Sequence, residues 1–430
     1  MSKLLFSLQL IALCDRIAQM ETNFDLIVIG GGASGMMSAI FASINGNKTL
    51  ILDHNEKLGK KLYITGKGKC NLTNNSPVET HLENIIHNSK FMYSALNAFT
   101  PQDAMAFFED NGLKLRTERG KRVFPESDKA SDVIKTLEKC LHKYDVKISL
   151  NNEIVSVEKK DKQFVIKCNN GITYTAYSLI MATGGLSYAG TGASNFGYKI
   201  AKQFGHNIIS AKSALCPIVV NDDVSELNGL SLKNVTLEVE LKGKKFKEFG
   251  EMMFTFNSIT GPIALTLSSK INQYDVQNAH LTLDLKPALS ETQLDQKLQR
   301  EIVEYAKTDL KNYLFTVLPH SFVEFFINKL SLPNKKMADL NKQERAQIIN
   351  GLKKFDFSIK SLDNINVSIV TAGGVDVKQI NAKTCESKLV PNLYFVGELL
   401  DVDALTGGFN LQIAWSTGYV AGNAVKNLKG

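Results

Sequence analysis

The clearest hydrophobic pattern in the chain lies at residues 25–35, Asp-Leu-Ile-Val-Ile-Gly-Gly-Gly-Ala-Ser-Gly. Leu26–Ile29 is an unbroken apolar run, as expected of a parallel strand buried on both faces. Met36–Ile44 then has helical spacing, and Gly46 suits its C-terminal stop. A second apolar run, Thr49–Leu52, ends at Asp53. Residues 54–76 are polar and rich in Gly and Lys, which predicts a loop. Helical patterns follow at 91–111 and 128–143. Lys147–Leu150, Ile154–Lys159, Phe164–Cys168 and Ile172–Ala176 predict a small set of strands, with Asn169-Asn170-Gly171 as a hairpin turn. Ser178–Ala182 predicts a separate buried strand that returns to the first sheet and ends in Thr183-Gly184-Gly185.

Beyond this the character changes. Ser194–Gly205 predicts a helix. Period-two alternation at Ile218–Val220, Val235–Leu241, Phe246–Met253 and Leu281–Leu285 predicts an antiparallel barrel or sheet. Glu291–Tyr305, Asp309–Val317, His320–Leu330 and Gln343–Phe355 predict a helical cluster. Strand character resumes at Ile365–Val370 and again at Leu393–Val396, ahead of a last helix that begins near Asn410. The fold class is therefore α/β: a discontinuous Rossmann-type domain with an inserted β-barrel plus helical domain. The expected boundaries are 20–190 and 363–430 for the Rossmann-type domain, 191–290 and 356–362 for the barrel, and 291–355 for the helices. Residues 1–19 carry Lys3 and an apolar run interrupted by Ser7 and Gln9, with no small-residue cleavage site. They are expected to be an upstream extension, with Met20 as the natural start.

Composition narrows the partners. At 430 residues, with 44% hydrophobic and 22% charged positions, this is an ordinary globular chain with more than one core. The net charge of +7 is moderate, and Lys-rich segments at Lys57–Lys69 and Lys242–Lys247 have solvated loops or strand edges as their plain reading. Without aromatic interleaving or a recognisable module, this balance argues against a nucleic-acid partner. Six scattered cysteines, none in a C-x-x-C pair, argue against a zinc site or a redox dithiol and fit a reducing cytoplasmic setting. No membrane span is expected. The seven histidines form no metal spacing and no nucleophilic constellation.

The chemistry lies in the turns. Gly30, Gly32 and Gly35 form G-x-G-x-x-G directly between a strand and a helix. Gly30 suits the tight turn, Gly32 the approach of a pyrophosphate, and Gly35 close helix–sheet packing. The helix N-terminus then offers N–H groups to the phosphates. Asp53, about 20 positions downstream, is placed for a ribose hydroxyl and favours FAD or NAD over NADP. Asn392–Glu398 is a strand followed by glycine and an acid, leading through Asp401 and Asp403 to Thr406-Gly-Gly-Phe-Asn410. In two-dinucleotide-type flavoproteins such an acid meets the ribityl chain, and the next helix aims its N-terminus at the flavin's pyrimidine edge. Ala414, Gly418 and Gly422 form a small-residue stripe, most simply for close helix packing. The loop Gly59–Asn74 has glycines and donors suited to wrapping a nucleotide, or it is a flexible basic loop. Its lone Cys70 reads more readily as structural than as redox-active.

These elements resemble the aminoacetone-oxidase-like family of FAD-binding flavoproteins, which includes a flavoprotein associated with bacterial bile-acid dehydroxylation. The resemblance is carried by Gly59–Asn74, Gly120–Pro125, Ala182–Tyr188 with Thr191-Gly192, Thr260–Pro262, Thr371–Val375 and Gly397–Gln412, in that order. It implies a Rossmann-type FAD-binding domain with the barrel and helices inserted. Residue by residue, it implies cofactor contacts from Gly30, Gly32, Ala33, Ser34 and Gly35 at the pyrophosphate and from Asp53 at the ribose. Lys60, Lys61, Gly66, Gly68, Cys70 and Asn71 follow in the loop, then Thr183 and Gly184. Gly397, Glu398 and Asp401 match the ribityl and flavin region, and Gly407, Gly408, Asn410 and Leu411 the ring-binding turn. The family often has Glu at the place of Asp53, Arg at Lys69 and Gly at Lys67. Arg122 is a candidate substrate-anchoring cation, with a structural ion pair as the equal alternative. No catalytic acid or base is identifiable. The implied activity is hydride transfer through noncovalent FAD, with NAD(P)H as a transiently docked donor and a small organic substrate. The alternatives are an oxidase passing electrons to oxygen, a flavin-dependent RNA-modifying enzyme, and a non-catalytic FAD-binding protein.

Overall fold

The computed structural model describes residues 22–426, so the expected upstream extension lies outside the described residues. Contacts divide the chain into two compact units: one runs to Ala211 and resumes at Thr371, and the other is Lys212–Val370.

In the first unit a parallel sheet runs in the order Lys147–Ser149, Thr49–Leu52, Asn23–Ile29, Thr173–Met181, with Leu393–Phe395 also pairing with Thr173–Met181. Leu26, Ile27 and Val28 are fully buried, which accounts for their uninterrupted apolar sequence. Two expectations are corrected here. Lys147–Leu150 was grouped with the small strand set, but it forms the edge of the parallel sheet, Leu50 opposite Lys147. Ile172–Ala176 and Ser178–Ala182 are one nine-residue strand, Thr173–Met181. Its first half pairs antiparallel with Gln163–Cys168, and its second half pairs with Asn23–Ile29 and Leu393–Phe395. Burial alternates along the first half and is continuous along the second, so one strand reads as two in sequence.

The single helix expected at 91–111 is two, Ser89–Ala98 and Pro101–Asp110. Thr100 and Asp103 cap the second reciprocally, and the proline fixes the break. Leu115–Glu118 and Arg122–Pro125 form a hairpin that the pattern did not reveal, and Thr73–Asn74 joins it as a third strand.

The last helix, Phe409–Ala424, packs on the first, Ala33–Ile44. A Cβ added at Gly418 would lie 2.6 Å from Ser34 O, and one at Gly422 2.4 Å from Ser38 O. The stripe therefore serves backbone-to-backbone approach. Trp415, fully buried, donates from Nε1 to Leu72 O at 2.9 Å, and Gln412 accepts from Thr73 Oγ1 at 2.6 Å. The last helix thus holds both the first helix and the end of the Gly59–Asn74 segment, which was expected to be a loop and instead contains the short helix Lys60–Ile64.

The second unit is a closed six-stranded barrel in the order Ile218–Val220, Ser258–Thr260, Lys244–Phe254, Ser231–Leu241, His280–Asp284, Phe355–Leu362. Helices Glu291–Glu304, Leu310–Val317, His320–Leu330 and Lys342–Lys353 share its apolar core, in which Phe254, Phe322, Phe326, Phe355 and Phe357 are fully buried. The strand expected at Ile365–Val370 is instead a short 3-10 turn at Ile365–Val367 followed by the strand Val370–Val375.

Substituting Gly418→Val forces bulk against Ser34, so we expect a loss of about 1–3 kcal/mol. A lower midpoint in chemical denaturation checks this; an unchanged midpoint shows that the two helices can move apart freely.

Candidate active site

The turn after the first strand is closed by the chain on two sides and open on the third. Gly30 has φ +107°, and a Cβ there would lie 2.4 Å from Ala182 O. A Cβ at Gly35 would lie 1.9 Å from Gly30 O, whereas Gly32 has no heavy atom within 4 Å of such a position. Gly32 is also the N-cap of the first helix, with no side-chain cap and no acid in the first turn. The leading N–H groups of a helix, here those of Ala33, Ser34 and Gly35, have no intrahelical acceptor. An uncapped, open helix end of this kind suits a phosphate. Asp53 ends the next strand, and its Oδ2 accepts from Gly31 N at 2.7 Å. Its Oδ1 accepts from Asn55 N at 2.8 Å and from Asn55 Nδ2 at 2.9 Å. A carboxylate accepts about four hydrogen bonds, which leaves room for one from a ribose hydroxyl.

A second centre forms on Glu398. Its Oε2 accepts from Lys61 Nζ at 2.6 Å, and its Oε1 from Thr371 N at 2.8 Å and Ser187 Oγ at 3.1 Å. Lys61 also donates to Ser187 Oγ at 2.7 Å. Thr371 Oγ1 accepts from Leu186 N at 2.8 Å and Ser187 N at 3.1 Å. Beside this network Thr183 Oγ1 and Tyr198 Oη are buried with no hydrogen-bond partner among the described residues. Gly184 has open space around it. Burial first, then the Glu398 and Asp401 carboxylates, push the Tyr198 phenol well above its ordinary range. Burial also raises the Asp401 carboxyl, although Asn88 Nδ2 donates to its Oδ2 at 2.8 Å. Unclaimed buried hydroxyls, an open glycine turn and an uncapped helix end fit a dinucleotide cofactor.

The third element is the turn before the last helix. Gly408, at φ +101°, would place a Cβ 2.4 Å from Thr73 O. With its amide oriented to satisfy both neighbours, Asn71 accepts from Gly408 N at 3.0 Å and donates to Thr73 O at 3.1 Å. Asn74 Nδ2 donates to Gly407 O and to Gly120 O, each at 3.0 Å. Loop, turn and hairpin are therefore one assembly.

The remaining expected residues are distributed unevenly. Asn410 folds the turn itself, accepting from Ala404 N at 2.9 Å and donating to Ala404 O at 2.7 Å. Leu411 is half-buried, Gly66 and Gly68 are exposed, and Gly397 N is held by Thr417 Oγ1 at 3.0 Å. Lys60 pairs with Glu56 at 3.2 Å. The Cys70 thiol is fully buried, and burial pushes its pKa up to about 12, so it is a structural thiol. Arg122 is exposed at the hairpin tip; its Nε donates to Arg119 O at 3.1 Å, and its guanidinium is 3.8 Å from Glu118. The sequence did not reveal His87 and Asp403, 316 positions apart, whose Nδ1 and Oδ1 meet at 2.5 Å. Asp403 is fully buried and anchors the segment that leads into the Gly407 turn. Among the described residues no group of His, Cys, Asp and Glu is arranged to hold a metal ion, and no helix is long and apolar enough to cross a membrane.

The HI0933-like protein Rossmann domain matches residues 24–424. The chain belongs to the HI0933-like family of Rossmann-type FAD-binding flavoproteins. This flavoprotein is 32% identical over 402 residues to the ribosomal RNA dihydrouridine synthase of Escherichia coli (strain K12), covering 92% of this chain and 96% of that protein. It is 28% identical over 407 residues to the 3-dehydro-bile acid delta(4,6)-reductase of Clostridium scindens, covering 92% and 98%. Among solved structures, the 3-ketosteroid delta1-dehydrogenase of Sterolibacterium denitrificans shares the fold with a TM-score of 0.51, over 94% of this chain and 99% of that one, at 13% identity. The flavoprotein is thus of an FAD-dependent oxidoreductase family.

Two outcomes are expected. Glu398→Gln leaves Lys61 without its carboxylate; losing a charged hydrogen bond of about 1.5–3 kcal/mol should weaken FAD binding roughly 10- to 100-fold in a fluorescence titration. Asp401 has a raised folded-state pKa, so its contribution to stability is full below the ordinary carboxylate range and is lost as pH rises through the raised value. Asp401→Asn should therefore raise the urea midpoint at neutral pH and leave it unchanged in acid.

Proposed function

We propose that this flavoprotein takes a hydride from NAD(P)H and reduces a carbon–carbon double bond conjugated to a carbonyl, the bond being C5=C6 of a uracil in ribosomal RNA. The observation that carries this reading is the end-to-end match to a relative named for making dihydrouridine in ribosomal RNA. The relative named as a bile-acid delta(4,6)-reductase acts on the same kind of bond, an alkene in line with a 3-oxo group. FAD, when bound, supplies the hydride relay between donor and alkene. The donor's hydride goes to one alkene carbon and a proton to the other, so the base gains two hydrogens and NAD(P)+ leaves.

The chain's own part is positioning. Gly32 and the first-helix N–H groups would take the pyrophosphate, Asp53 a ribose hydroxyl, and the Lys61–Ser187–Glu398 cluster the ribityl chain. Asn71, Gly407 and Gly408 would close around the ring. In this reading the moderate net charge is no argument against RNA, because charge acts where it is concentrated.

The test is an anaerobic titration with NADPH and NADH, followed by incubation with unmodified ribosomal RNA transcripts and mass analysis of the nucleosides. Flavin bleaching and a uridine heavier by two hydrogens are the expected results. Reduction of a 3-oxo-Δ4,6 steroid with RNA untouched would move the substrate to the steroid class. A flavin that stays oxidised with either nicotinamide would remove the donor and restore the oxidase reading.

A further inference from the structure

We propose that the 57–69 loop and the 115–125 hairpin form a phosphate-binding rim that receives the backbone of an RNA beside the Gly407–Gly408 turn; this rests on the RNA reading above. The charge distribution points there. Residues 57–69 hold five lysines and no acid, and residues 114–129 hold six basic and three acidic side chains. These two segments carry a net +8, where the whole chain carries +7. The rest of the chain therefore nets −1, the Lys242–Lys247 stretch included.

The fold brings these stretches together. Leu72 N donates to Val123 O at 2.8 Å, and Asn75 N to Lys121 O at 2.7 Å. Asp128 ties them further, pairing with Lys69 at 3.1 Å and with Arg116. That network neutralises Lys69 and Arg116 and leaves other cations outward. Lys67, Arg119 and Lys121 are exposed, and no acidic side chain among the described residues pairs with them.

The 57–69 segment starts at the first-helix turn, where Gly59 N donates to Gly31 O at 2.9 Å, and Arg119 and Lys121 stand at the other glycine turn. The open phosphate turn is at the first helix, whereas Asn74 holds Gly120, between Arg119 and Lys121, to Gly407 at the N-terminus of the last helix. Arg119 and Lys121 thus serve a second anion. An aromatic stands with them. Tyr63 is 52% exposed, with Lys57 Nζ 5.7 Å from its ring centroid. Tyr63 lies on the short helix Lys60–Ile64, so the basic segment expected to lack aromatic interleaving carries one exposed ring. Exposed cations around a free aromatic face fit an anionic strand with an unstacked base.

The experiment compares the FAD-loaded wild-type protein with a Lys67→Gln/Arg119→Gln/Lys121→Gln variant and with Tyr63→Ala. Unmodified small- and large-subunit ribosomal RNA transcripts are bound across a KCl series, with flavin content and unfolding midpoint as fold controls. In the triple variant the Kd should rise about tenfold or more and the slope of log K against log salt should fall by about 2. Tyr63→Ala should raise Kd and leave that slope unchanged. A triple variant with wild-type Kd and slope, from a wild-type protein that does reduce ribosomal uridine, overturns the rim alone. A wild-type protein that leaves RNA both unbound at low salt and unreduced overturns the rim and the RNA reading together.

Discussion

One carboxylate holds the site together. Glu398 joins Lys61 from the short helix Lys60–Ile64, Ser187 from the loop after Thr173–Met181, and Thr371 from the start of the returning chain. These partners are 337, 211 and 27 positions away, so no local signal brings them together. A partly buried charge that accepts three hydrogen bonds is expensive to leave unmatched. Any arrangement that displaced one loop would strand the others, and the geometry of the whole crevice follows from this node.

The node works only if the strand before it and the helix after it are fixed. Glycine supplies that rigidity through close approach. The last helix lies so near the first that Gly418 and Gly422 face Ser34 and Ser38 carbonyl oxygens. Thr417, on the same helix, holds Gly397 N beside Glu398. Trp415 and Gln412 hold the far end of the Lys61 loop. One helix thus sets the Gly30–Gly35 turn, Glu398 and the Gly407–Gly408 turn in a common frame, and its first turn carries no acid.

The strand–turn–helix at residues 25–44 and its downstream acid were legible because each rests on local sequence: an apolar run, spaced glycines, one aspartate. The barrel and its helices were legible through period-two and helical spacing. What escaped had non-local causes. Thr173–Met181 changes from one buried face to two along its length, so its halves read as separate strands. The 115–125 hairpin turns on Gly120 and Lys121, both at positive φ, with few apolar residues to mark it. The His87–Asp403 contact and the second duty of Asp53, holding Gly31 N, depend on tertiary approach. The resemblance implied a place for Asn410 in the ring-binding turn, and only the structure shows that its amide is bonded to Ala404.

The cradle and the hairpin beside it are held by different forces. The cradle depends on glycines, backbone N–H groups and the Glu398 node, and at Gly30, Gly35 and Gly408 an added Cβ would collide with neighbouring backbone. The hairpin is held to it by backbone pairing, Thr73 opposite Val123 and Asn74 opposite Arg122, and by the Asn74 amide. Its outward side chains carry none of that pairing. A substitution among them therefore leaves the attachment of the hairpin to the Gly407 turn in place.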